Sequence, residues 1–304
     1  MKWLMLCREP RLYSCSRIKA ACETKGIELD ILDPNRMLLG LENGEFKIYY
    51  QAGESYDNNR PEPVLLPNYD GILPRFGTGS NEMGFSVLRH FEAKGIPVLN
   101  HSAAFALARD KWRTLQKLAE HNLPVPNTNF AGHLVSVKSQ LNQFAFPVIS
   151  KVLNGSQGNG VMLFEGKNNA GAVLATFRQV NEPYLCQQFV SEAKGQDIRA
   201  FVIGNEVVAA MSRTSVTGDF RANIHQGGIA QAVELTAEEK TLAVKAAQAI
   251  GLEVAGIDLL RTEKGMVILE VNASPGFEGI EQVNQVDIAH KMVGYFIEKI
   301  SKLS

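Results

Sequence analysis

No stretch of this 304-residue chain is apolar over the length of a membrane span. Charge of one sign is also missing. The 31 Lys and Arg stand against 32 Asp and Glu, a formal net charge of -1, so nothing in bulk points to nucleic acid or an anionic membrane. The four cysteines, Cys7, Cys15, Cys22 and Cys186, form no CxxC pair and no zinc spacing, which argues against a disulfide framework or a structural zinc. The opening MKWLMLCREP is apolar only from Trp3 to Cys7, too short for a secretory signal, and reads as a first strand. The expectation is a cytoplasmic chain with reduced thiols and neither membrane nor nucleic acid as a direct partner. Several catalytic signatures are absent as well. There is no GxxxxGK[ST], no HExxH and no GxSxG, and no repeat or low-complexity segment.

What is present is a globular composition, 45% hydrophobic and 21% charged, long enough for two or three packed units. The most informative stretch is 254–276, VAGIDLLRTEKGMVILEVNASPG. It reads as two apolar strands joined at Thr262-Glu263-Lys264-Gly265. A hairpin centred on Lys264 sets Asp258 across from Glu270, with Asn272 on the same face. Val254, Gly256, Leu260, Met266 and Ile268 would complete that face. Two carboxylates side by side in apolar surroundings repel unless something neutralises them. A divalent cation would do so, and oxygen-only ligands suit magnesium or manganese. The hairpin alone leaves a solvated strand face equally open.

In chain order, the pattern predicts a strand over 2–7, a helix over 14–25 ending at Gly26, and a strand over 28–32, an alternation that suggests a small parallel sheet. Residues 40–68 read as irregular, with a short edge strand at 46–51. A strand at 69–74, a helix to 94 and a strand at 97–100 close the first unit. A helix capped by Ser102 runs on to His121, stopped by Pro124 and Pro126. Strands follow at 146–152, 161–164 and 184–190, with a helix at 170–178. A hairpin of 197–203 and 206–211 turns at Gly204-Asn205. A basic loop, a helix over 236–250, the acidic hairpin and a last helix at 287–299 complete the chain. The expected units are 1–100, 101–186 and 187–304.

Several of these segments carry chemistry. Gly155, Gly158 and Gly160 fall between two strands, where glycine lets backbone N–H groups close on a phosphate. A flexible turn would look the same. Lys151 lies in an apolar strand just before them and wants an anion, unless it snorkels from a sheet edge. Lys111, in a helix, reads as solvated when taken alone. Arg221 and Asn223 lie in a glycine-rich basic loop, where Arg221 could clamp a carboxylate or phosphate or simply face water. Asp197 could take a ribose hydroxyl or pair with Arg199. Together, two lysines, a glycine loop, a basic loop and an Asp/Glu/Asn set are the parts of a magnesium-dependent nucleoside-triphosphate site.

These residues resemble the ATP-grasp superfamily, and within it the RimK-type α-L-glutamate ligases. The likeness rests on LYSCSRI at 12–18, ARDKWRT at 108–114, GDFRANIHQGG at 218–228 and VNASPGFEGIE at 271–281, and extends over nearly the whole chain. It implies an α/β (α+β) protein: an N-terminal Rossmann-like pre-ATP-grasp domain, then the two halves of an ATP-grasp fold with ATP held between their sheets. By resemblance, Lys111 and Lys151 meet the ATP phosphates, and Gly155, Gly158 and Gly160 belong to the loop that covers them. Gln188, where glutamate is usual, and Phe189 lie at the adenine hinge, and Asp197 near the ribose. Arg221, Ala222 (serine in close relatives) and Asn223 form the phosphate and intermediate loop. Asp258, Glu270 and Asn272 hold two Mg²⁺ or Mn²⁺ ions. The implied reaction is ATP-dependent ligation of L-glutamate through an acyl phosphate, with Arg221 as the catalytic residue. The implied acceptor is the C-terminal glutamate of a small-subunit ribosomal protein, and the enzyme a possible homo-oligomer. A peptide, small-molecule or carrier-protein acceptor, and a nucleotide-binding regulatory module without turnover, are the alternatives.

Overall fold

Lys2–Leu6, sequence KWLML, forms β1, and all of it but Lys2 is buried. The computed structural model describes residues 1–53, 56, 59–153, 155, 159–193, 195–215 and 228–303. From β1 the chain passes through helix α1 (Tyr13–Thr24) to β2 (Glu28–Leu32). Gly26 makes that turn at φ 66°, where a side chain would be strained. β2 pairs parallel with β1, whose other edge pairs parallel with β6 (Gly71–Pro74), giving the order β2-β1-β6. Between β2 and β6 lie β3 (Met37–Glu42), β4 (Glu45–Tyr50) and β5 (Val64–Leu65), an antiparallel sheet of its own. The sequence suggested an irregular segment with an edge strand there. β4 is instead the central strand, and it buries Ile48 in the same core as Val87 and Phe91 of α2 (Asn81–Ala93). The strand expected at 97–100 reduces to one bridge between Ile72 and Val98.

The helix expected to run from Ser102 to His121 is two helices, α3 (Ser102–Arg109) and α4 (Lys111–Glu120). Asp110 breaks it, with φ −96° and ψ 101°, and its carboxylate accepts a hydrogen bond from Arg113 N. Asp thus acts as an N-cap inside an unbroken apolar period. The next sheet has the order β7-β10-β8-β9, built from β7 (Thr128–Phe130), β8 (Val148–Val152), β9 (Val161–Phe164) and β10 (Tyr184–Gln188). Helices α5 (Val137–Leu141) and α6 (Lys167–Gln179) cover it through Leu141, Ala170 and Leu174.

The last sheet is antiparallel, β13-β12-β11-β14-β15, formed by β11 (Gln196–Ile203), β12 (Glu206–Thr214), β13 (Ile229–Ala232), β14 (Val254–Thr262) and β15 (Gly265–Asn272). Helix α7 (Ala237–Ile250) carries a full capping box, Thr236 with Glu239, and ends at Gly251 with φ 83°. Its Ala243, Ala246 and Ala247 pack against Ile257, Leu259 and Ile268. Helices α8 (Glu278–Asn284) and α9 (Ile288–Leu303) close the chain. Phe296 of α9 lies 4.8 Å from the Trp3 ring and so close to Gly71 that a Cβ there would collide with it, which fastens the C-terminal helix to the first sheet. Among the described residues no helix is long and apolar enough to cross a membrane.

The β14–β15 hairpin differs from its expected register in one respect. Thr262 pairs with Gly265, so the turn is the two residues Glu263-Lys264 and pairing starts one position off. A bulge at Leu269 then restores it, and Asp258 faces Glu270 while Gly256 faces Asn272. Met266 and Ile268 are therefore turned away from the acidic face and sit in the core beside Leu259.

Candidate active site

Four strands present one continuous row of charges. Register places Asp197 opposite Arg213, Arg199 opposite Asp258, and Asp258 opposite Glu270. Arg213 grips Asp197 through two bonds of 2.6 and 2.8 Å. Arg199 grips Asp258 through two of 2.7 Å, and Arg213 reaches the same carboxylate at 3.0 Å. Both Asp258 oxygens are thus occupied, and its side chain is 6% exposed. Burial would raise its carboxyl, but the two guanidinium groups outweigh it and hold it near 2. Asp197 shares only Arg213, and burial pushes it upward to about 6. The pairing of Asp197 with Arg199 left open by the sequence does not occur, because each arginine takes the acid across the ladder.

Glu270 is the exception in this row. It is exposed on the site face, and its carboxylate makes no hydrogen bond or ion pair among the described residues. Beside it, the Asn272 amide nitrogen is buried without a partner among the described residues. An unshared carboxylate, an amide whose carbonyl can turn outward, and the Asp258 oxygens form an all-oxygen donor set of the kind that hard divalent cations take. These residues therefore fit Mg²⁺ or Mn²⁺, with Glu270 the uncommitted ligand and Asp258 one that must share its arginines. Two arginines, rather than a metal alone, answer the repulsion expected between Asp258 and Glu270.

Opposite Glu270 lies a cleft of about 380 Å³, counting space open to solvent, lined by Lys111, Lys151, Leu185, Gln187 and Leu269. Lys151 comes from β8, where it pairs with Leu185 on one side and Val161 on the other. Burial draws its ammonium down to about 8, opposed by the charge of Glu270. Lys111 opens α4 and donates to the carbonyls of Leu153 (3.0 Å) and Gly155. Burial lowers its pKa as well. Gly155 and Gly160 flank the loop between β8 and β9. A Cβ at Gly155 would strike the Asn159 carbonyl, and Gly160, at φ 74°, has Val152 where its Cβ would be. Gln188 ends β10, its backbone N–H bonded to Asn127 O and its side chain accepting from Asn127 Nδ2. Phe189 follows it, half-buried. Gly158, Arg221, Ala222 and Asn223 lie outside the described residues.

Two cations went unnoticed in the sequence. Arg75, at the end of β6, donates to Ser14 Oγ (3.0 Å) and Pro275 O (2.9 Å). Arg109, at the end of α3, donates to Phe76 O (2.8 Å). In each the Nε–H is buried without a partner among the described residues. Burial lowers the pKa of both, and Glu270 is the anion that supports Arg109. The only available signal was an arginine closing an apolar run, ILPR and FALAR. Arg109, Lys111 and Lys151 thus lie within electrostatic reach of Glu270, and Arg75 within reach of Arg109.

Two family models match the chain: a RimK pre-ATP-grasp domain over residues 1–105 and a RimK-like ATP-grasp domain over 108–296. A protein of Haemophilus ducreyi named "Probable alpha-L-glutamate ligase" is 53% identical over 301 residues, which are 98% of this chain and 99% of that protein. Among solved structures, a RimK domain ATP-grasp protein from Sphaerobacter thermophilus superposes with a TM-score of 0.73 at 20% identity, over 97% of this chain and 99% of that one. The ATP-grasp ligase PsnB, solved with a minimal precursor, Mg and ADP, superposes with a TM-score of 0.71 at 19% identity, over 99% and 98%. At those identities the two structures establish the fold.

Proposed function

This chain belongs to the RimK-like ATP-grasp ligases, and from that premise we propose that it joins L-glutamate to a carboxylate at the expense of ATP, the acceptor being the C-terminal glutamate of a small-subunit ribosomal protein in the cytoplasm. One observation carries the reading: Glu270, without a partner among the described residues, faces Lys111 and Lys151 across the cleft and stands beside Asp258 and Asn272. Phosphate-holding cations and cation-holding acids meet at one point, as transfer of a phosphoryl group to a carboxylate requires.

The acceptor carboxylate takes the terminal phosphoryl group of ATP, giving an acyl phosphate and ADP. The amine of L-glutamate then attacks the acyl carbon, loses a proton and displaces phosphate, leaving an amide. Lys151 and Lys111 hold the phosphates. Gly155, Gly158 and Gly160 close over them and keep water from the acyl phosphate. Gln188 and Phe189 carry the adenine edge and Asp197 lies toward the ribose. Arg221, with Ala222 and Asn223 beside it, stabilises the oxyanion as the amide forms. Asp258, Glu270 and Asn272 would hold two Mg²⁺ or Mn²⁺ ions, which supply charge neutralisation at the phosphates when bound.

The direct test is intact mass spectrometry of ribosomal protein and small carboxylates after incubation with ATP, Mg²⁺ and L-glutamate. A ladder of glutamyl increments on the ribosomal protein is expected. ADP release only with a small carboxylate would move the acceptor, and none with any acceptor would sink the ligase reading.

Lys151 gives a pH test. Its free ammonium titrates near 8 because burial disfavours the charge. Phosphate oxygens brought beside it restore the charged form. Binding of a non-hydrolysable ATP analogue should therefore take up little proton at pH 7 and increasingly more as pH rises through 8. Calorimetry in buffers of different ionisation enthalpy reads this directly, and Lys151→Met should remove it. An uptake unchanged in that variant would clear Lys151 of the role. Stability follows the same sign. The lowered pKa costs stability in full below pH 8, and the cost fades as pH rises toward the unfolded value of 10.5.

A further inference from the structure

We propose that Arg75 and Arg109 form the binding site for the α-carboxylate of the incoming amino acid, on the N-terminal side of Glu270. The inference rests on the ligase reading above for the identity of that substrate.

The first observation is an unbalanced charge. Arg75 is packed under Phe277, its guanidinium carbon 5.8 Å from the ring centre, and its bonds go to a hydroxyl and a carbonyl, both neutral. No carboxylate pairs with it among the described residues. Only the Cys15 and Cys7 thiols oppose the effect of its burial, and neither is a carboxylate, whereas two-point recognition of a carboxylate is what its planar fork does well. Arg109 repeats the pattern, stacked 5.3 Å from Phe105 and bonded to the Phe76 carbonyl, with Nε left over.

The second observation is position. Arg75 follows β6 and Cys7 follows β1, so Arg75 stands beyond the carboxyl ends of two adjacent parallel strands, β1 leading to β2 on one side and β6 to the Ile72–Val98 bridge on the other. Open parallel sheets bind ligands at that switch point. Arg8 reaches the same rim, since a Cβ on Gly79 would lie 3.3 Å from its Nη1.

The third is linkage to the reacting centre. Pro275, which receives Arg75, is three residues beyond Asn272, and Arg109 lies within electrostatic reach of Glu270. A carboxylate held here is one that is not consumed, because the activated carboxylate must lie beside the phosphates at Lys111 and Lys151. The incoming amino acid has such a group, attached to the same carbon as its nucleophilic amine. The clamp would thus fix the amine as well.

The test is equilibrium binding of L-glutamate to the full-length protein, compared with L-isoglutamine, its α-amide. The wild type should prefer L-glutamate by about 30-fold or more, the size of a good charge-assisted pair. Arg75→Ala should abolish that preference, and Arg75→Lys should keep a small part of it by retaining charge without the fork. Arg109→Gln, which leaves the Pro275 anchor intact, covers the case in which Arg75→Ala does not fold. Affinity for ATP should stay within about twofold in every folded variant. Unchanged glutamate affinity, equal loss of ATP, loss of acceptor binding alone, or no glutamate binding by the wild type would overturn the assignment. Failure of the ligase reading would look different: arginine-dependent glutamate binding with no ADP released by the wild type.

Discussion

Glu270→Gln should cut ATP-dependent ligation by about 10³-fold or more while leaving the thermal transition within about 2 °C of the wild type. The two halves of that expectation come from one fact. Glu270 is exposed and bonded to no described residue, so glutamine removes no structural contact. Its charge, in contrast, is shared by Arg109, Lys111 and Lys151 and stands beside Asp258. Without it, Lys111 and Lys151 line the cleft with no carboxylate among its lining residues, and the donor set that suits a hard cation loses its uncommitted carboxylate among the described residues. Mn²⁺ binding, followed by water proton relaxation, should weaken in parallel. A variant that turns over at the wild-type rate would end the assignment of this face as the metal site. Asp258→Asn would be a poorer test, because it also strands Arg199 and Arg213, whose bonds to that carboxylate are structural.

Asn100→Ala should destabilise the protein by about 3 kcal/mol or more, without touching any group in the cleft. Asn100 is 2% exposed, and all four of its side-chain bonds go to the backbone of the C-terminal unit. Its amide nitrogen donates to Val254 O (2.7 Å) and Ala273 O (3.0 Å), and its oxygen accepts from Glu253 N and Val254 N (2.8 and 3.0 Å). It therefore holds the first residue of β14 and the residue just past β15 together from outside. Alanine leaves four backbone groups short of a partner, and the three buried ones each cost about 1–3 kcal/mol if no water enters. The left-handed backbone of Asn100, φ 72°, adds to the penalty, since alanine tolerates it less well. At about 2–4 °C per kcal/mol, a fall in melting temperature of about 6 °C or more is expected. A loss below about 1 kcal/mol would mean that water replaces the side chain.

The elements that could be read from sequence were those set by local rules. The capping box and Gly251 bound α7, and the turn at Gly204-Asn205 falls where the residues say. The opposition of Asp258 and Glu270 could also be read, but through a compensation. The turn is one position away from the centre assumed, and the bulge at Leu269 cancels the error on the far side only. Nothing at Leu269 announces a bulge, since neither Gly nor Pro stands there, so the placement of Met266 and Ile268 could not be foreseen. The arginine ladder needed the register of three strand pairs at once, which no local pattern supplies. Arg75 and Arg109 escaped because a charge at the end of an apolar run usually faces water, and only the packing of Phe277 and Phe105 shows otherwise. Asp110 hid for a different reason: the apolar period of α3 continues into α4 in phase, and a capping aspartate there looks like any polar surface residue.

That break at Asp110 sets a distance. Arg109 turns back to the Phe76 carbonyl, whereas Lys111 reaches forward to the carbonyls of Leu153 and Gly155, so one extended residue separates a cation assigned to the amino acid from one assigned to the phosphates. Their spacing is written into covalent geometry and a single pair of backbone angles, and no packing between units has to be re-established to recover it. Lys151, on a separate sheet, has no part in setting that separation, so the nucleophile and the leaving group would meet at a spacing the backbone itself fixes. Here the chain serves as a ruler laid between two substrates.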